Sequence, residues 1–123
     1  MKPYEVLTVC GSEYHFKFTA ANAVKLESEL KTDLISGLDR LGEIGILAKY
    51  IFYAGVSQND NISKIDDVYT LIDNYIMDGG SIEELQNHTI ETLYTSGILS
   101  KQMYDASKKM AGKQQEALQK LLK

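Results

Sequence analysis

Cys10 and His15 are the residues in this chain best placed to make a nucleophile and base. A thiolate beside an imidazole is the usual start of acyl-transfer chemistry. Both fall on one face of a hairpin read from Glu5-Val-Leu-Thr-Val-Cys10 and Glu13-Tyr-His-Phe-Lys-Phe18, and they lie on a diagonal there. The sequence supplies no oxyanion hole and no third group to orient the histidine. The plainer reading, two unrelated residues on an exposed β-face, is favoured. His88 stands mid-helix near Glu84 and Glu91. Two histidines with no clustered thiolates do not make a convincing zinc set, so His88 is expected to be a surface histidine. Asp66, Asp67, Asp73 and Asp78, and Asn59-Asp-Asn61, lack the spacing and distal glutamate of a calcium loop. They read as helix-start charges and a solvated face. The glycines form no dinucleotide or Walker pattern and read as punctuation. Gly45, inside an apolar helix, suggests close helix–helix approach. No cofactor and no metal is expected, and an enzyme is the least favoured class.

The elements that would position these residues begin with the hairpin. Glycine first in a two-residue Gly11-Ser12 loop suits a type II′ turn. That turn opposes Cys10 to Glu13, Val9 to Tyr14, Leu7 to Phe16 and Val6 to Lys17. Val9, Leu7, Tyr14, Phe16 and Phe18 then share an apolar face. A lone hairpin is marginal, so this face is expected to lie on helices. Thr19 caps a helix over 20–31 with Ala23, Leu26 and Leu30 inward. A short helical segment over 33–41, weakened by Gly37, follows. Residues 43–54 are apolar nearly all round and read as a central helix, stopped by Gly55. Ser63 caps a third helix striped by Ile65, Val68, Tyr69, Ile72, Tyr75 and Ile76. Gly79-Gly80 ends it, and Ser81-Ile-Glu-Glu84 opens a fourth as a capping box. The short connection predicts an αα-hairpin.

The whole is expected to be mainly α: an N-terminal β-hairpin packed on a bundle of about four helices over 1–98, with a C-terminal helical tail over 99–123. The tail carries a thin apolar seam (Met103, Ala106, Met110, Ala117, Leu121). At 123 residues and 44% hydrophobic content, one core can form without staples. No window nears the ~20 apolar residues of a membrane span, and Met-Lys-Pro-Tyr-Glu opens no secretory signal. A single cysteine fits a reducing cytoplasm. No membrane partner is expected. Residues 1–100 carry 7 basic and 15 acidic groups, a net −8, whereas 101–123 carry six lysines against Asp105 and Glu116, a net +4. Such a body is a poor nucleic-acid binder, and the tail suits an acidic surface, including the chain's own body.

Tyr50, Phe52 and Tyr53 point to different sides of the central helix. Either that helix is wholly buried, or one side docks a partner or a second subunit. The β-segment Glu13 to Phe18, the stretch Thr19-Ala-Ala-Asn-Ala-Val-Lys-Leu-Glu27, the aromatic-bearing helix from Ile44 to Ala54, and the Ser63…Gly79-Gly80-Ser81…Leu93 pair together resemble the tail assembly chaperones of long-tailed bacteriophages and prophages of Gram-positive hosts. The resemblance spans roughly residues 1–100. It implies a non-enzymatic protein of the host cytoplasm, missing from the mature virion, that binds the tape measure protein, keeps it soluble and helps tail tube protein assemble around it. It also implies that 101–123 is the tail of a short form or the linker to a frameshifted extension. Tyr50, Tyr53, Met103 and Leu121 are the candidate partner contacts, and the aromatic surplus leaves room for a homo-oligomer. A structural or adaptor protein of the particle and a small cytosolic regulator are the competing readings.

Overall fold

The computed structural model describes residues 4–107. Strands β1 (Glu5–Val9) and β2 (Ser12–Phe16) pair antiparallel. They are followed by α1 (Ala20–Leu30), a 3-10 turn (Ser36–Arg40), α2 (Ile44–Gly55), α3 (Ile65–Met77) and α4 (Ile82–Thr95). Residues 101–107 are helical again, and we call them α5. The expected mainly helical fold with an N-terminal hairpin is what the chain adopts.

The hairpin register differs from expectation by two residues. Val9 opposes Ser12, Leu7 opposes Tyr14 and Glu5 opposes Phe16. The loop is Cys10-Gly11, with φ of 50° and 81°. Two positive φ values mark a type I′ turn in place of the expected II′, both being turns whose twist matches that of the strands. A slip of two preserves the faces. Val9 and Phe16 are therefore still core residues, with Leu7 and Tyr14 packed against them.

Thr19 caps α1 as expected, its Oγ1 accepting from the Asn22 amide (3.2 Å). Ser81 caps α4, accepting from the Glu84 amide (3.2 Å). The start of α3 is built differently. Ser63 does not cap it with its hydroxyl. The Asp67 carboxylate reaches back and accepts from the amides of Ser63 (2.9 Å) and Lys64 (3.1 Å). Those amides hold the Asp67 carboxyl below the ordinary aspartate range.

Helix α2 is central, with Leu47, Ala48, Tyr50, Ile51 and Ala54 all buried. α1, α3, α4 and β2 all pack on it. α3 and α4, joined by the short 78–81 connection, both pack on α2 and meet each other through Tyr75, whose hydroxyl donates to the Glu84 carboxylate (2.6 Å). Two glycines serve close packing. A Cβ on Gly37 would stand 2.5 Å from the Tyr50 hydroxyl, and one on Gly55 would stand 2.9 Å from the Phe16 ring. Gly55 is the last residue of α2 and gives β2 its close approach, and the αR conformation of Val56 shows that no left-handed stop is used. Gly45 is exposed, with nothing near its missing side chain, so the expected close helix approach is not there.

Candidate binding groove

The chain between α1 and α2 tightens into a 3-10 turn, with Leu38 N–H bonded to the Ile35 carbonyl (3.2 Å). Asp33 caps it, accepting from the Ser36 amide (3.0 Å). Its far end is tied to α4, since Gln86 Nε2 donates to the Leu41 carbonyl (3.1 Å). α5 is held to α4 by Tyr104, which stacks on Tyr94 (4.5 Å between centroids, 24° between planes) and hydrogen bonds to Glu91. Burial, reinforced by Glu91, pushes the Tyr104 phenol up to about 12, so it stays a donor to that carboxylate at neutral pH.

Between these three pieces lies a groove of about 590 Å³. Leu38, Leu41, Ile90, Leu99 and Met103 give it an apolar floor. Ser36, Asp39, Gln86, Asn87 and Ser107 make a polar rim. A cleft of this volume, apolar with sparse polar groups at its margin, has the size and lining of sites that bury a ligand or an apolar helix face. Its last wall is α5, the helix that leads into residue 108 onward.

The candidate contacts separate sharply. Met103 lines the groove and is 38% exposed. Tyr50 is 0% exposed, and its hydroxyl donates to the Leu34 carbonyl (2.7 Å) while Phe18 meets its ring edge-on. It is a core residue presenting no surface to a partner, a correction that follows from the buried carbonyl it satisfies. Tyr53 is half-buried on another side of α2, its hydroxyl bonded to the Glu29 carboxylate, which pushes the phenol up to about 12. It is not part of the groove. Leu121 lies outside the described residues.

The chemical candidates come apart as well. Cys10 sits in the turn, its thiol near the Asn74 carbonyl (3.7 Å) and its amide donating to Asp78 Oδ2 (3.0 Å). His15 is engaged elsewhere, stacked on Tyr4 (4.2 Å) and bonded to Glu13 (3.0 Å). His88 is not a surface histidine. Its ring edge meets Phe16 (5.0 Å, 82°), and its Nε2 is shut off from solvent with no hydrogen-bond partner. Burial pushes its pKa down to about 4, against the weaker upward pull of Glu5 and Glu91. The ring lies under the hairpin, a placement that only the hairpin's docking creates and that helix periodicity does not signal. No group of three or more His, Cys, Asp or Glu able to hold a metal occurs among the described residues. None of their helices is long and apolar enough to cross a membrane.

The sequence reading missed the groove, because its walls are separated by some fifty residues of chain. It also missed Asn59, placed in a polar loop. The Asn59 side chain accepts from the His15 amide (2.9 Å) and donates to the His15 carbonyl (2.6 Å), acting as a surrogate strand on the outer edge of β2.

No family model, no curated protein and no solved structure matches this chain.

Proposed function

We propose that this chain is a tail assembly chaperone of a long-tailed bacteriophage or prophage. It works in the host cytoplasm as a binding protein rather than an enzyme. It holds apolar helical stretches of the tape measure protein in solution until tail tube subunits polymerise around them, and it leaves before the particle is complete. The observation that carries this reading is the open apolar groove between the 3-10 turn, α4 and α5. A client helix with large apolar residues at i, i+3, i+4 and i+7 would lay that stripe on Leu38, Ile90 and Met103. The net −8 of residues 1–100 would keep the loaded complex soluble by self-repulsion.

The test is co-expression with a tape measure protein of a long-tailed phage or prophage, taken from the same genome as this chain. The tape measure should move from pellet to supernatant and co-purify with the chaperone. The Met103→Glu chain should fold normally and lose most of that rescue, because a carboxylate would be buried in the groove floor. A tape measure that stays insoluble and unbound with the wild-type chain present overturns the proposal. Mass spectrometry of purified particles should find the chain missing, and its presence there at tail-protein stoichiometry would make it a structural component instead.

A further inference from the structure

The two edges of the hairpin are treated differently. His15 exchanges both backbone groups with the Asn59 side chain, so those groups point away from β1. In an antiparallel ladder the residue opposite a non-bonded position also points its N–H and C=O outward. Val6 opposes His15, and Thr8 lies two residues further on. The N–H and C=O of Val6 and Thr8 therefore face away from β2, and they have no partner among the described residues. Both residues are exposed, with Val6 38% exposed. On the β2 edge Asn59 takes both His15 groups and the Lys17 amide donates to the Ala54 carbonyl (2.9 Å), leaving the N–H and C=O of Glu13 as the outward groups of that edge. Between Glu5 and Val9 the β1 edge has no proline, lysine or bulge, and its one charged residue, Glu5, stands at its start.

We infer that the β1 edge is a dimerisation strand, and that its occupant is β1 of a second copy, paired antiparallel about a twofold axis at Leu7. In that register Val6 faces Thr8 of the second copy and each pair exchanges two hydrogen bonds, which satisfies all the free groups of both edges. Leu7 then meets its own copy at a non-bonded position, about 4.5 Å between Cα atoms, extending the apolar face it shares with Tyr14 and the core. The register is set by two constraints. Sliding two residues toward the turn would require the Cys10 amide, already donating to Asp78 (3.0 Å). Sliding the other way would bring the two Glu5 residues within two positions of each other, whereas the chosen register keeps them four positions, ~13 Å, apart. Like charges facing across a ladder destabilise it. The resulting sheet has the order β2-β1-β1-β2, with Asn59 clamping His15 on each outer edge.

The experiment is amide hydrogen exchange on the full chain across a concentration series, paired with sedimentation equilibrium. The Val6 and Thr8 amides should exchange slowly at high concentration and lose protection, by tenfold or more, on dilution to monomer. Thr8→Pro, which removes one edge donor at a position where a lone edge strand tolerates proline, should weaken association at least tenfold while leaving the melting temperature unchanged at dilutions where both chains are monomers. Val6→Lys, an edge guard on an exposed site, should do the same. A wild-type chain that stays monomeric, or a dimer in which the Val6 and Thr8 amides remain unprotected, overturns the inference. So does a folded variant that dimerises as tightly as wild type. The exchange measurement decides even if the proline variant fails to fold.

Discussion

His88 is the residue whose chemistry is most altered by where the chain puts it. Its ring is neutral under the hairpin, with a folded pKa near 4 against an unfolded value of about 6.5. Between those values the unfolded chain binds a proton that the folded chain refuses, so stability falls as pH drops from 6.5 toward 4 and changes no further from this group below that. The loss is on the order of 2–3 kcal/mol. His88→Leu should flatten the stretch of the stability–pH curve between pH 6.5 and 4 relative to wild type, measured by urea unfolding at a series of pH values. An unchanged slope would mean that carboxylates alone set the acid limb. Gly37 presents a steric case. With its Cβ position 2.5 Å from the Tyr50 hydroxyl, Gly37→Ala must displace that hydroxyl from the Leu34 carbonyl. The expected cost is about 1–3 kcal/mol of overpacking, readable as a lower denaturation midpoint. A neutral substitution would show that Tyr50 can swing aside.

At the scale of elements, local chemistry was easiest to read where it acts locally. Thr19 and Ser81 cap their helices because a hydroxyl three residues before an amide needs nothing else. The mostly apolar stretch became the central helix for an equally direct reason, since Leu47, Ala48, Tyr50, Ile51 and Ala54 leave most of its surface to be buried. The hairpin turn was misplaced because Cys10 adopts a left-handed conformation that residue preference disfavours. Docking against Asp78 and Asn74 pins it there. The core survived that error because the slip was even. Asn59 could not have been read as an edge clamp, since its role depends on a strand forty-four residues away. Its importance is measurable. Asn59→Ala leaves the His15 N–H and C=O without their partner, so it should cost about 1–3 kcal/mol. Exchange at the His15 amide should quicken more than at Leu7 or Tyr14. Equal quickening across the hairpin would indicate undocking rather than loss of a single clamp.

At the scale of the whole molecule, the groove exists only once three distant segments converge: the 3-10 turn, α4 and α5. No periodicity encodes it, which is why Tyr50, an aromatic on a promising helix, proved to be core while Met103, read from a thin seam, lies in the groove. The Tyr104 contacts with Tyr94 and Glu91 make α5 a wall of that groove. A bound helix would therefore touch both the body of the fold and the segment leading toward the lysine-bearing C-terminus. The most direct measurement places a photo-crosslinking amino acid at position 103, on the groove, and in a parallel chain at position 24, where Val24 is 64% exposed on α1. Each chain is co-expressed with the tape measure protein and irradiated. Client binding in the groove gives a crosslink to the tape measure from position 103 and little or none from position 24. Crosslinks that form equally at both positions, or at neither while the two proteins still co-purify, would contradict it.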